Sequence, residues 1–438
     1  MPSTGPEASQ TLADRRIVCD IVIVGARAAG SALAINLARQ GKKVVAIDKA
    51  TFPSHTMSTH VIYPNTLARL EDLGVLDEVM ANGPPPLYTA WHHEGRMFVA
   101  PHAPQRGRDW GLCVRRVTLD AILVRQAEAA GATVLQGHRA TAFLGRGRED
   151  DPLHGVIATD AEGTTTRIQA DVVIGADGAN SALARHLGLT KQKVMPTETM
   201  LYYAYWTGVD TRNTQDFFFE CPWICAHFPA DNGHHVITMN GPAAERAGIK
   251  DLEAFYLEKI NSIPALAARL KNAEKVSRVT GTARLDGFYR QHTGPGWALA
   301  GDAAHFKHPA SAQGICDALH AAEVLTEGIS QGSWRTSYPA WRTGESAELY
   351  AFCKHLREAP SDAGMRLVMD AFIKDADLAR RMVDIWARNA RPWTDVIPHV
   401  PGMEQITGTS VESVLAEFDD AAGTAPADRR AGAEPQLA

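Results

Sequence analysis

Two kinds of apolar pattern alternate along the chain. Ile17 to Val24 (IVCDIVIV) is almost continuously apolar, as a strand buried on both faces must be. It breaks at Gly25-Ala26-Arg27-Ala28-Ala29-Gly30 into a helix-like run, Ser31 to Arg39, with Ala34 as the small residue where helix meets sheet. Gly41 stops that helix, and Val44 to Ile47 predicts a second strand ending in Asp48. The plan recurs at Asp171 to Arg185 (DVVIGADGANSALAR), a strand running into Asp177-Gly178 and then a helix with Ser181 near its start. It recurs again from Trp297 to Leu319, where an apolar strand meets Gly301-Asp302, a bend at Pro309 and a helix opening at Gln313-Gly314. Strands that alternate with helices predict a parallel sheet and an α/β fold.

Between these stretches the pattern changes. Gly83 to Trp110 is Pro-rich, with Trp91 to Ala100 as a strand, and Met200 to Val209, Asp216 to Cys225 and His235 to Asn240 also read as strands. A turn at Asp231-Asn232-Gly233 separates the last two. Their apolar and aromatic positions predict a second, antiparallel sheet whose covered face looks toward the first domain. The expected organisation is a disordered N-terminus over 1–15, a first domain over 16–82, 111–190 and 286–336, and a second over 83–110 and 191–285. A helical region over 337–420 and a disordered Ala/Pro/Glu-rich tail over 421–438 complete it.

The chemistry begins at the turns. A strand, a tight turn with Gly25 and Gly30, a helix, and an acid closing the next strand form a dinucleotide-binding unit, in which Asp48 binds adenosine ribose hydroxyls. Arg27 departs from the usual middle glycine, and a side chain there should push the pyrophosphate outward or change the turn. Its guanidinium at a helix start can pair with a phosphate oxygen or swing into solvent; the phosphate contact is the favoured expectation. At the other motif, the Asp302 carboxylate is placed to accept hydrogen bonds from a ribityl hydroxyl. Free N–H groups after Ser311 point outward at a helix N-terminus and favour the negative charge that a reduced flavin carries on its N1–C2=O edge.

On these three motifs the chain resembles the class A flavoprotein monooxygenases, the para-hydroxybenzoate hydroxylase-like family, over roughly its first three quarters. The resemblance implies a Rossmann-like FAD-binding domain interleaved with an antiparallel-sheet substrate domain, followed by C-terminal helices. It implies FAD as cofactor and NAD(P)H as a transient reductant without a domain of its own. Molecular oxygen and an electron-rich, aromatic small molecule would be the substrates, with one oxygen passing from a C4a-hydroperoxyflavin. Arg116 fits the family's arginine before a helix and would touch the ribityl or pyrophosphate region. The loop Phe52 to His60 would run beside the isoalloxazine, making Ser58, Thr59 and His60 flavin-edge residues. The full cofactor set expected is Gly25, Arg27, Ala28, Gly30, Asp48, Lys49, Ser58, Thr59, Arg116, Ala140, Asp177, Asp302, Pro309, Gln313, Gly314 and Ile315.

His60, His305 and His308, the last next to Pro309, are the candidates for proton handling, against the alternative of hydrogen-bonded structural histidines. His60, His308 and Pro309 form the expected catalytic set. Tyr203, Tyr205, Phe219, Trp223 and His227 are substrate-pocket candidates, although alternation along a strand must turn about half of such residues away. Two other enzymatic readings stand beside oxygen transfer. A flavin-dependent halogenase would carry a W-x-W-x-I-P segment, which Pro222-Trp223-Ile224 does not supply. A reductase of the geranylgeranyl type is nearer, because Phe228-Pro229 followed by Asp231-Asn232-Gly233 resembles a segment of those enzymes. A flavin-binding redox sensor without turnover is the non-enzymatic reading.

Composition narrows the context. With 438 residues, 45% hydrophobic and 21% charged, the chain can bury large cores in two or three domains. Its net charge of -6 gives no basic footprint for nucleic acid. No apolar run approaches a membrane span and Met1 to Arg16 lacks the apolar segment of a secretory signal, so a cytoplasmic protein without membrane attachment is expected. Six cysteines in so long a chain read as free thiols, and Cys221 and Cys225, without a second pair, do not predict a metal site.

Overall fold

A computed structural model describes residues 15–356 and 361–400. The chain begins in β1 (Arg15–Val24), turns into α1 (Ala28–Arg39) and returns as β2 (Val44–Asp48). It leaves for a second sheet in the hairpin β3 (Tyr88–His93) and β4 (Arg96–Ala100), then resumes the first with α2 (Arg116–Ala129) and β5 (Thr133–Gln136). β6 (Arg139–Leu144), β7 (Gly155–Thr159) and β8 (Thr165–Gly175) follow. The second sheet continues with β9 (Thr199–Thr207), β10 (Thr214–Glu220), β11 (Trp223–Pro229) and β12 (His234–Pro242), two short strands at Glu274–Lys275 and Thr280–Thr282 pair with β9, and α3 (Leu252–Asn261) and α4 (Pro264–Arg269) cover it. β13 (Trp297–Leu299) re-enters the first sheet, and the helices α5 (Gly314–Gln331), α6 (Trp334–Leu356), α7 (Asp362–Lys374) and α8 (Ala376–Asp384) follow, with short helical turns at Pro392–Val396 and Ile397–His399 closing the described chain.

In the first sheet five parallel strands lie in the order β5-β2-β1-β8-β13. The unbroken apolar run of β1 follows from burial on both faces. Ile21 and Ile23 meet the helical layer of α1, α2 and α5, while Val22 and Val24 meet a second cluster with Ile168, Val173 and Trp297. All the strands present their C-terminal ends to one edge, where the connecting loops leave room for a ligand.

The second sheet runs β9-β12-β11-β10-β3-β4, antiparallel except between β3 and β10. That pair is parallel because a long stretch of chain, most of it in the first domain, intervenes, so no hairpin dictates the direction. Two expected strands are each divided. Trp91 to Ala100 is a hairpin turning at Glu94-Gly95, both at positive φ, and Asp216 to Cys225 is broken at Cys221-Pro222, where proline offers no N–H to a ladder. The turn at Asp231-Asn232-Gly233 stands as read, with Asn232 and Gly233 left-handed. Met200, Tyr202 and Trp206 face α3 and α4, whereas Tyr203, Tyr205 and Phe228 face the other way, toward Val61, Tyr63 and Ala312.

At the N-terminus, Arg15 is already in register with Thr166, so order begins inside the stretch expected to be disordered. The expectations for 1–14, 401–420 and the 421–438 tail fall outside the described residues. No helix among the described residues is long and apolar enough to cross a membrane.

Candidate functional site

The turn after β1 is built by two glycines. Gly25 has φ of +102°, and a Cβ on Gly30 would overlap the Gly25 carbonyl oxygen, so the first turn of α1 packs directly on the strand end. Asp48 Oδ2 accepts the Ala26 N–H at 2.9 Å and Oδ1 the Ala50 N–H at 2.8 Å, which fixes the acid at the tip of β2. At Arg27, φ is -85°, an ordinary value, so the turn has not been altered by losing the middle glycine.

These strand ends border a cavity of about 620 Å³. It gathers Gly25, Arg27, Ala28, Asp48, Lys49, Ser58, Thr59, Arg116, Ala140, Asp177, Asp302, Pro309, Gln313, Gly314 and Ile315 from eight separate stretches of sequence. Gly30 is behind the wall, in its packing role. His138, Arg139, Asn180, Arg185, Lys307 and Asp317 also line the cavity and were not anticipated. The spacing of His138 and Arg139 just after β5, at the C-terminal edge of the sheet, was the available signal.

The lining fits FAD by its donors and its open faces. Asp177 Oδ2 accepts the Ala182 N–H at 2.6 Å, yet Oδ1 is buried with no partner among the described residues, and burial raises the pKa of this carboxyl. Asp302 lies in a single helical turn after β13 rather than at the strand end, makes no hydrogen bond among the described residues, and is likewise shifted upward by burial. Both are acceptors waiting for hydroxyl or N–H donors. The Gln313 side chain makes no capping bond to α5, being held by the Trp386 carbonyl at 2.6 Å and Arg388 Nε at 2.9 Å, and a Cβ on Gly314 would meet nothing closer than Asp302 Oδ1 at 4.0 Å, so the helix start is open to the cavity.

Arg27 is anchored to protein groups instead of swinging into solvent. Its Nη1 is 2.6 Å from Asp120 Oδ2 and its Nη2 donates to Ser54 Oγ at 2.9 Å, while the side chain still lines the cavity. Arg116 Nε donates to the other oxygen of the same Asp120 at 2.8 Å. Asp120, fully buried, therefore orients both arginines; its place four residues after Arg116 on a helix was the only clue in the sequence.

The candidate proton handlers separate. His60 is buried, has φ of 68° and is not a cavity wall residue. Because Ser58 offers a carbonyl at 2.7 Å, Nδ1 is the donor there, and Nε2 accepts the Tyr205 hydroxyl at 2.6 Å. Burial, reinforced by Arg116, holds its pKa down at about 3, so His60 is a neutral anchor for Tyr205. His308 does line the cavity: its Nδ1 accepts the Ala310 N–H at 3.3 Å, so Nε2–H donates to Thr199 Oγ1 at 2.7 Å and ties the flavin-side loop to β9. His305 lines it too, its ring flat against Tyr289 at 3.8 Å between centroids.

The substrate-pocket candidates divide by face. Tyr203 and Tyr205 lie on the side of the second sheet that adjoins the cavity through Leu201 and Ala312. Phe219 packs on Trp91 at 4.9 Å within the cluster of C-terminal helices. Trp223 and His227 are corrected: both point to the α3–α4 face, away from the cavity. Trp223 meets Phe255 at 5.5 Å and the Lys259 ammonium at 4.6 Å, while His227 is bonded to His235 at 3.0 Å and Arg269 at 3.2 Å.

Comparison with known proteins agrees with this geometry. A family model described as FAD binding domain matches residues 18–331. The 1H-pyrrole-2-carbonyl-(peptidyl-carrier protein) chlorinase of Pseudomonas fluorescens is 26% identical over 345 residues, 71% of this chain and 75% of the relative. Menaquinone reductase of Mycobacterium tuberculosis is 27% identical over 350 residues, 73% and 79% of the two chains. Digeranylgeranylglycerophospholipid reductase of Methanothrix thermoacetophila is 27% identical over 334 residues, 72% and 79%. A flavoprotein/dehydrogenase structure from Cytophaga hutchinsonii superposes with a TM-score of 0.75 at 19% identity, over 91% of this chain and 99% of the other, a likeness of fold.

Proposed function

The chain belongs to the FAD binding domain family, and from that premise we propose that it is an FAD-dependent monooxygenase. In this reading NAD(P)H would bind transiently as the reductant, and one atom of molecular oxygen would enter an electron-rich, aromatic small molecule while the other leaves as water. The observation that carries the reading is the enclosed aromatic face of the second sheet, where buried Tyr203 and Tyr205 stand beside the cofactor cavity. Such a face suits a planar aromatic and keeps water away from the reacting centre. FAD would supply the electron storage and oxygen activation. The chain's own residues bind and orient: Asp48 takes the ribose hydroxyls, Asp302 the ribityl chain, and the start of α5 favours negative charge at the N1–C2=O edge. Tyr205, its proton directed at His60 Nε2, offers its hydroxyl oxygen as an acceptor on the aromatic side.

A second reading, reduction of a prenylated or quinone-type substrate, draws support from the two reductase relatives and from Phe228-Pro229 at the end of β11. Halogenation is the activity named for another relative, but the one tryptophan of β11, Trp223, lies on the far face of its sheet. The test is NAD(P)H oxidation under labelled molecular oxygen with a panel of electron-rich aromatics. Products heavier by one labelled oxygen atom are expected. Well-coupled saturation of a prenyl chain without oxygen uptake would replace this reading with the reductase one.

A further inference from the structure

Beside the cofactor cavity, between α5 and α6, lies a buried charged group that the proposed reaction does not use. Arg342 on α6 is 1% exposed, and none of its guanidinium nitrogens has a hydrogen-bond partner among the described residues. The acid beside it, Asp317 on α5, stands 3.5 Å away and is already bonded to Lys307 and Arg388. Arg388 also reaches Glu345 at 3.0 Å, at the more exposed end of the group. Both ring nitrogens of His305 and Nε2 of His292 are buried without partners as well.

Lys307 and Arg388 thus take up the Asp317 carboxylate, and the Arg342 guanidinium, 3.5 Å from Asp317 and also within the field of Asp302, is left without a hydrogen-bond acceptor among the described residues. A buried guanidinium with no acceptor is strongly disfavoured, and water could satisfy its donors but not its charge. The neighbouring groups register the same field. Burial, with Arg342 and Arg388 adding to it, pushes the Lys307 ammonium well below the lysine range, and burial with Arg342 holds His292 down at about 3. The phenols of Tyr289 and Tyr338, which also face Arg342, stay neutral, so they supply no compensating charge.

We propose that Arg342, with His305 and Lys307, holds a small monovalent anion, either a free halide-sized ion or a carboxylate group. It would enter through the cofactor cavity, which His305 and Lys307 line. Arg342, Tyr338 and Ser346 are all fully buried, so an occupant beside the guanidinium is limited to a few atoms. This inference is independent of whether the flavin transfers oxygen or reduces a substrate.

The test uses the full, flavin-loaded protein at constant ionic strength, replacing isethionate, a bulkier anion, stepwise with chloride in one arm and formate in the other. Thermal unfolding should shift upward by a few degrees with chloride, formate or both, because a ligand bound only by the folded state stabilises it. Arg342→Met should lose that response, and chlorine-35 line broadening seen with wild type should vanish in the variant. Lys307→Met is measured in the same way and must weaken the response, which keeps the test decisive if Arg342→Met does not fold. A response to chloride alone assigns a free ion, and one to formate alone assigns a carboxylate of a larger ligand. No anion-specific shift in wild type, or an equal shift in the variants, would overturn the proposal.

Discussion

Arg27 and Asp120, 93 residues apart in sequence, meet at 2.6 Å across the packed helices α1 and α2. The pair explains how the dinucleotide turn accepts an arginine where a glycine is usual. The backbone at 27 needs no special φ, and a buried carboxylate on the facing helix takes up the guanidinium that would otherwise lie free in the phosphate region. The same carboxylate holds Arg116, so the two cations beside the cavity share one anchor.

Asp120→Ala should therefore release both arginines. Stability in denaturant titrations should fall by about 1–3 kcal/mol, the cost of leaving charged hydrogen-bonding groups unmet. An unchanged midpoint would show that the two ion pairs contribute nothing to the packing of α1 on α2.

If Arg27 keeps enough positive potential in the cavity to attract the pyrophosphate despite its pairing, Arg27→Ala should weaken FAD binding at low salt. Added salt should then weaken wild type more than the variant. Flavin titration at two ionic strengths decides this, and identical affinities at low salt would leave Arg27 with only its structural role.

Asp302 has no protein partner among the described residues, so its contribution should appear only when the cofactor is present. Asp302→Ala is expected to cost FAD affinity about 1–3 kcal/mol while leaving apoprotein stability nearly unchanged. A large loss of apoprotein stability would contradict the assignment.

The two glycines at the helix starts make a matched pair. Gly30→Ala places a methyl group on the Gly25 carbonyl and should prevent the turn from forming, with loss of soluble folded protein or of all flavin. Gly314→Ala meets no protein atom closer than 4.0 Å, so it should fold normally and lower FAD affinity by intruding on the cavity. Circular dichroism with flavin content separates the outcomes; equal behaviour of the two variants would refute the distinction.

His60 should make folding sensitive to acid. Its pKa is near 3 in the folded protein against 6.5 when free, so the neutral form is the one the fold accepts. The contribution is fully present above about pH 6.5 and declines as pH falls toward 3, by up to about 1.4 kcal/mol per unit. Gln can donate to Ser58 and accept from Tyr205, so His60→Gln should unfold with a shallower dependence on pH across that window. Parallel wild-type and variant profiles would mean that His60 protonates freely in the folded state.

Much of the fold is local information. The continuous apolar run of β1, the glycines of the following turn, the acid at the end of β2 and the Asp302 and Gly314 segment are contiguous patterns. Backbone sterics and strand or helix period therefore made the first domain and the main turns bordering its cavity readable from the chain, whereas His138, Arg139, Asn180, Arg185, Lys307 and Asp317 were not. The division of Trp91 to Ala100 and of Asp216 to Cys225 was less legible because both stretches remain strand-like on either side of their turns.

What tertiary structure alone decided are relations between segments far apart. Alternation along β9 and β11 says that Tyr203 and Tyr205 share a face and that Trp223 and His227 lie on one too, but not which face meets the cavity. That was settled when α3 and α4 packed over one side, burying Trp223 against Phe255 and leaving the tyrosines toward Ala312. The partners of Arg27, and the enclosure of Arg342 between helices, were likewise invisible. Period fixes direction within one element, whereas ion pairing and burial depend on which distant surfaces close over a side chain, and the chain alone carries no local mark of that.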